Sequence, residues 1–190
     1  MGKGLLIVLS GPSGAGKGTV GKAFLSRHPE IALSVSCTTR SPRTGEKEGI
    51  NYFFKSEREF QDLISQDEFL EYACVYGNYY GTPKSFVAKK LSEGCEVMLE
   101  IDVQGAMKAK EAFPHGLFIF LVPPSLPELE RRIRGRATES EEQIQCRLSK
   151  ARNEMAMSGE YDYVIVNDDV TRAAEEMEAI VCAERQKRKH

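Results

Sequence analysis

Apolar positions in this chain come in blocks. Four short runs, Leu5–Leu9, Cys95–Ile101, Leu117–Val122 and Tyr163–Val166, are rich in Val, Ile and Leu and too short for helices. Runs of this kind predict strands buried on both faces. Helical stretches lie between them. Val20 to Arg27 follows the first run, Gln104 to Ala112 follows the second, and a further helix starts near Thr171. Thr82-Pro83 predicts an N-cap with proline in the first turn, opening a helix that ends near Leu91 before Gly94. The alternation predicts an α/β fold with a parallel sheet flanked by helices. Arg185 to His190 predicts a frayed end.

Two stretches interrupt this pattern. Residues 34–82 are rich in Ser, Thr, Tyr and Arg and predict a small lobe. Ser56 and Glu59 form a capping box there, opening a helix with Phe60, Leu63 and Ile64 on one face. Residues 125–158 predict two helices, capped by Ser125…Glu128 and Thr138…Glu141. The second carries Ile144, Leu148, Ala151 and Met155 at helical spacing. Arg131, Arg132, Arg134 and Arg136 crowd the turn between them, as a hinged lid would require. One domain is expected, with a core of residues 1–33, 83–124 and 159–190.

Composition narrows the classes. A chain of 190 residues buries one good core. The net charge of -2 excludes a general nucleic-acid binder. The five cysteines are odd in number, widely spaced and lack a C-x-x-C pair. They read as reduced thiols of a cytoplasmic protein and not as a disulfide framework or zinc site. Met1-Gly2-Lys3-Gly4 runs straight into the first strand, which predicts no signal peptide, and Leu6 stands where a myristoylation signal needs Ser or Thr. No apolar run approaches the ~20 residues of a membrane helix.

The chemistry starts at Gly11-Pro12-Ser13-Gly14-Ala15-Gly16-Lys17-Gly18-Thr19, set between a strand and a helix. Glycines let backbone N–H groups turn toward a polyphosphate, and the helix start adds unpaired donors. Lys17 adds a full charge for the terminal phosphates. The usual Ser or Thr after the lysine is Gly18 here, with Thr19 one place later. Mg²⁺ is then held mainly by phosphates and water.

Three further groups carry chemistry. Arg40 and Arg43, in Ser36-Cys37-Thr38-Thr39-Arg40-Ser41-Pro42-Arg43, suit bidentate phosphate capture, with Tyr52 and Tyr80 supplying hydroxyls. A solvated loop is the plainer reading, and Tyr79-Tyr80-Gly81 fits either core or hairpin. Glu100-Ile101-Asp102 places two acids on one side of a strand end, where one can align Mg²⁺ waters and the other hold a base or cation. The alternative is an Arg-paired structural carboxylate. Glu71, in the aromatic run Phe69-Leu70-Glu71-Tyr72, is either a surface acid or a buried acceptor for the N–H pair of a guanine edge.

Together these motifs resemble the guanylate kinases, in family order and over nearly the whole chain. Gly77-Asn78-Tyr79-Tyr80-Gly81, Glu100-Ile101-Asp102-Val103-Gln104-Gly105 and Val164-Ile165-Val166-Asn167-Asp168-Asp169 join the loops already described. The short length is similar to bacterial members. The resemblance implies a P-loop NTPase fold with five parallel strands in the order 2-3-1-4-5, a GMP-binding lobe and a lid. It implies the reaction ATP + GMP to ADP + GDP with Mg²⁺, in purine nucleotide metabolism and GMP recycling, with dGMP as a further acceptor. The phosphate loop, Gly11 through Thr19, would bind ATP. Ser36, Glu71 and Thr82 would lie at the guanine, with Glu100 at ribose or base. Arg40, Arg43, Tyr52 and Tyr80 would hold the GMP phosphate. Asp102 would serve the metal through water, with Thr19 as a second candidate. Arg132, Arg136 and Arg147 would close from the lid, and Asn167 would lie near adenine. Lys17, Arg40, Arg43, Arg132 and Arg147 are the expected catalytic set, in a monomer or small homo-oligomer. The competing readings are a non-catalytic phosphopeptide-binding module of the same fold and a kinase for another monophosphate.

Overall fold

The first apolar run folds as strand β1 (Leu6–Ser10), with all five residues buried. This is a computed structural model that describes residues 4–135 and 141–188. After β1 come α1 (Lys17–Arg27), β2 (Ala32–Leu33), β3 (Cys37–Thr38), β4 (Phe53–Phe54) and α2 (Glu57–Ser65). Next are β5 (Phe69–Val75), β6 (Asn78–Pro83), α3 (Lys84–Ser92), β7 (Val97–Glu100) and α4 (Val103–Ala112). The chain ends with β8 (Leu117–Val122), α5 (Leu126–Arg134), α6 (Glu141–Met155), β9 (Tyr163–Val166) and α7 (Val170–Lys187).

Five strands form a sheet in the order β2-β7-β1-β8-β9. Numbered along the chain among themselves, they read 2-3-1-4-5, as the family resemblance implies. The pairs β2–β7, β1–β8 and β8–β9 are parallel. Parallel strands have both faces covered, so β1 and β8 are apolar at nearly every position. A second, four-stranded sheet runs β4-β3-β6-β5. Its β5–β6 hairpin turns on Tyr76 and Gly77, with φ of 51° and 76°. Positive φ at both central residues is the signature of a type I′ turn, whose twist matches the strands it joins.

The chain divides into two compact units. One comprises residues 1–6, 30–99 and 104–116, and the other residues 7–29, 100–103 and 117–190. In the first unit Cys37, Phe60 and Phe69 form a buried cluster, with the Phe60 and Phe69 rings stacked at 4.5 Å. A Cβ on Gly81 would lie 2.8 Å from Phe69 and 3.0 Å from Phe60, so the strand can pass over those rings only as glycine. In the second unit α1 packs against α7. Leu129 and Ile133 of α5 meet Ile144, Leu148 and Ala151 of α6 in one cluster.

Several expectations need correction. Thr82-Pro83 ends β6, and no side chain caps α3. The Thr82 hydroxyl is committed elsewhere, as described below. The terminal helix does not fray at Arg185; it runs to Lys187, started by Asp169 as its N-cap. The capping box at Ser56 is present with both of its hydrogen bonds. Ser125 caps α5 by accepting from the Glu128 amide. The Glu128 carboxylate turns to Arg131 and Arg132. Thr138 and Arg136 lie outside the described residues.

Candidate active site

The loop between β1 and α1 takes its shape from glycine. Gly11, Gly14 and Gly16 have φ of 147°, 91° and 95°, where other residues are strained. A Cβ on Gly11 would lie 2.2 Å from the Leu121 carbonyl, so the loop can hug β8 only without one. Gly16 starts α1 with no side-chain cap, and the first turn holds no acid. The amide donors and positive dipole end of the helix remain available to an anion.

The outer side of the loop is tied down. The buried Asn167 donates from Nδ2 to the Ala15 carbonyl at 2.7 Å. Arg132 donates to the same carbonyl at 3.3 Å, to the Asn167 carbonyl at 2.9 Å and to Glu128 at 2.8 Å. Three protein acceptors therefore hold this guanidinium against the loop. The buried Arg147 donates to the Ser13 hydroxyl at 2.7 Å. Glu154 reaches the Ser13 amide at 3.4 Å; burial pushes its carboxyl up, against the pull of Lys150, Lys17 and that amide. Lys17 curls over the loop and donates to the carbonyls of Gly11 at 2.7 Å and Pro12 at 3.2 Å.

The acidic strand end belongs to the same unit. Glu100 stands beside Gly18, where a Cβ would lie 3.2 Å from its Oε1. Burial pushes the Glu100 carboxyl above its ordinary range, and the Lys17 charge pulls the other way. Glu100, expected at the ribose or base of GMP, has its carboxylate beside Gly18 of the phosphate loop. Asp102 lies two residues on, close enough in charge to bear on Glu154 and Tyr161. Among the described residues no cluster of three or more His, Cys, Asp or Glu is arranged to hold a metal. Two hard carboxylate oxygens beside a polyphosphate site still suit Mg²⁺, which keeps several waters and needs few protein ligands.

The other unit carries a second polar site. Glu71 on β5 and Thr82 on β6 are both buried, and the Thr82 hydroxyl donates to Glu71 Oε1 at 2.6 Å. Arg40 follows β3. It donates to both oxygens of Glu46, each at 3.0 Å, and to the Ser41 carbonyl at 2.6 Å. Its guanidinium lies 5.4 Å from the Tyr52 ring centroid, and Tyr52 meets Tyr80 edge-on at 6.0 Å. Burial works against charge on Arg40, but Glu46 and Tyr80 outweigh it. Glu46 also accepts from the Arg43 amide at 2.8 Å, while the Arg43 residue itself is exposed. Burial opposes the Glu46 charge, but the Arg43 amide and Arg40 hold its carboxyl below the ordinary range. Ser36 is buried just before β3. Sequence reasoning missed Glu46; an acid three residues after Arg43, across a Thr-Gly turn, was the available signal.

A glycine-shaped phosphate loop on a parallel sheet, with a lysine over it, defines a P-loop phosphotransferase. Shikimate kinase from Acinetobacter baumannii shares that fold, with a TM-score of 0.51 at 14% identity over 95% of this chain and 94% of that one. The family model described as Guanylate kinase matches residues 3–184. A guanylate kinase of Caldanaerobacter subterraneus subsp. tengcongensis is 57% identical over 96% of this chain and 89% of its own length. The crystal structure of guanylate kinase from Anaplasma phagocytophilum has a TM-score of 0.82 at 38% identity, covering 97% of this chain and 87% of that one. The chain belongs to the guanylate kinase family.

Two outcomes follow from the loop's anchors. Asn167→Ala leaves the Ala15 carbonyl with only the longer Arg132 contact and should cost about 1–3 kcal/mol of stability. ATP affinity should also fall about tenfold, a separate loss of roughly 1.4 kcal/mol in binding; calorimetric titration showing unchanged binding would exclude the anchoring role. The second outcome concerns acid. Arg131 and then Arg132 hold the Glu128 carboxyl down at about 2, from an ordinary 4.5. A depressed carboxyl stabilises above its unfolded value and loses that contribution as pH falls toward the folded one. The melting temperature of the native protein should therefore exceed that of Glu128→Gln at neutral pH. The gap should close between pH 4.5 and about 2; a gap constant across that range contradicts the assignment.

Proposed function

We propose that this chain transfers the γ-phosphoryl group of ATP to GMP, giving ADP and GDP, with dGMP as a second acceptor. Glu71 carries the choice of acceptor. A buried ionised carboxylate only accepts, and its two oxygens match the two N–H donors of a guanine edge. Adenine offers one donor beside an acceptor nitrogen and would leave a lone pair facing a carboxylate. Ser36 and Thr82 complete the base site in this reading.

Arg40, Arg43, Tyr52 and Tyr80 take the GMP phosphate. The buried Arg40 Nε has no hydrogen-bond partner among the described residues, which supports a ligand oxygen there. Glu46 acts through Arg40, fixing the plane of its fork. In the other unit, Gly11 through Thr19 surround the ATP phosphates with amide donors. Asn167, whose Oδ1 is buried without a partner among the described residues, is the acceptor near adenine. Residues 34–82 serve as the GMP lobe. Residues 125–158 serve as the lid, with Arg132, Arg136 and Arg147 on the donor side. Arg132 then works from a fixed position on the loop.

The attacking oxygen of GMP is already anionic at neutral pH, so no strong general base is needed. The obstacle is repulsion between two polyanions. Lys17 and the arginines neutralise charge and hold donor and acceptor in line. Mg²⁺, held by the phosphates with Asp102 through water and Thr19 or Glu100 nearby, supplies further neutralisation when bound. Water must be kept out, or ATP is hydrolysed. A cytoplasmic place, as a monomer or small homo-oligomer without nucleic-acid or membrane partners, agrees with the free cysteines. No helix among the described residues is long and apolar enough to cross a membrane.

An ADP-coupled assay with GMP, dGMP, AMP and UMP tests the reading. GMP and dGMP should react, and equal turnover of AMP would defeat it. Lys17→Ala should lower the rate of the chemical step roughly 10²–10³-fold with little change in GMP binding; unchanged turnover would remove Lys17 from the mechanism. Glu71→Gln exchanges one acceptor for a donor aimed at guanine N–H groups. It should raise the KM for GMP by about tenfold or more, from a loss of roughly 1–3 kcal/mol. A variant that still prefers GMP over AMP to the full extent moves base reading to other residues.

A further inference from the structure

Three glycines of the phosphate loop are explained by their backbone, and the fourth is not. Gly11, Gly14 and Gly16 occupy positive φ. Gly18 does not; it sits in the first turn of α1 with no conformational need for glycine. Glycine is a poor helix former, so the surroundings of the position bear on why glycine stands there. The residue is exposed, yet a Cβ there would meet a neighbouring carboxylate more closely than ordinary van der Waals contact. The three nearest atoms all belong to one carboxylate: Glu100 Oε1 at 3.2 Å, Oε2 at 3.6 Å and Cδ at 3.8 Å. Glu100 ends β7 and reaches the helix start by virtue of its length.

We propose that Gly18 and Glu100 are a size-matched pair, in which the glutamate carboxylate fills the space of a side chain at position 18 and presents there the oxygen that a hydroxyl on residue 18 would otherwise offer to the nucleotide's divalent cation. In phosphate loops with Ser or Thr after the lysine, that hydroxyl sits on Mg²⁺. Gly18 has no oxygen to give. Thr19 is one residue further round the helix, about 100° away, and is no substitute in place. Aspartate at position 100 would be one methylene short of the gap, and a side chain at position 18 would meet the longer acid. Each residue therefore makes sense of the other. The part concerning the cation rests on the kinase reading given above; the part concerning size does not.

Five proteins test the pair: the native chain, Gly18→Ala, Glu100→Asp, Gly18→Ala with Glu100→Asp, and Gly18→Ser with Glu100→Asp. Two quantities are read. The first is the melting temperature without nucleotide or metal. Because alanine is also the better helix former, the size match is read as coupling: Gly18→Ala with Glu100→Asp should melt a few degrees above the sum of the two single shifts, of the order seen for about 1 kcal/mol in a chain of this size. The second is Mn²⁺ affinity of the ATP-saturated protein, followed by electron paramagnetic resonance. Glu100→Asp should weaken it about tenfold. The serine double variant should recover most of that loss, and the alanine double variant none of it. Additive temperature shifts overturn the size match. Equal Mn²⁺ affinity of the two double variants overturns the oxygen exchange. GMP-dependent ADP formation by the native chain is measured alongside. Its absence with the temperature coupling intact defeats the kinase reading and leaves the size match standing; its presence with additive shifts defeats the size match alone.

Discussion

A loop that turns its amide N–H groups inward must dispose of its carbonyls, and the phosphate site depends on where they go. The Ala15 carbonyl is taken by Asn167 and Arg132. The Gly11 and Pro12 carbonyls receive Lys17. Asn167 is itself fixed to the sheet, since its amide donates to the Val122 carbonyl at the end of β8 at 2.8 Å. The parallel sheet thus sets Asn167, Asn167 sets the loop, and the loop sets the donors. A preorganised array of this kind needs no rearrangement when phosphate charge shifts during transfer.

Two carboxylates in the other unit show how surroundings divide one functional group into two tasks. Glu46 is bound to Arg40 through both oxygens, so its charge serves to aim a cation. Glu71 is buried and accepts from the neutral Thr82 hydroxyl, a partner that carries no charge to be aimed as Arg40 is by Glu46. The hairpin that carries Glu71 and Thr82 is held by its I′ turn at one end and the Phe60–Phe69 stack beneath it. The Glu71–Thr82 pair therefore rests on rigid strands, where a small displacement would be felt directly in its hydrogen bond.

Much of this was legible in the sequence. β8 coincides with its apolar run because a parallel strand covered on both faces leaves no alternation to misread. β9 keeps its expected bounds but not its expected burial, because as the edge of the sheet it exposes Val164 and Val166. The phosphate loop was legible because strand, glycines and helix agree. The strands β2, β3 and β4 have only two residues each, too few for any period to register. Thr82-Pro83 has the composition of a helix start, and local preference lost to a tertiary partner when the hydroxyl went to Glu71. Arg132 reads as a mobile lid cation, but its acceptors come from three places in the chain. The reason for Gly18 lies in Glu100, distant in sequence, and only the folded chain brings the two together.

The five thiols differ in a way that has a practical consequence. Cys37 is buried beside the Phe60–Phe69 stack, and burial pushes its thiol up to about 11, where thiolate is scarce at neutral pH. Cys74 on β5 and Cys146 on α6 are exposed, one in each compact unit, and Cys182 on α7 is exposed as well. Replacing Cys182 and the half-buried Cys95 would leave Cys74 and Cys146 as the two exposed attachment points for maleimide dyes. Energy transfer between such dyes would report interdomain distance in solution, with and without nucleotides, using sulfur atoms the chain already has.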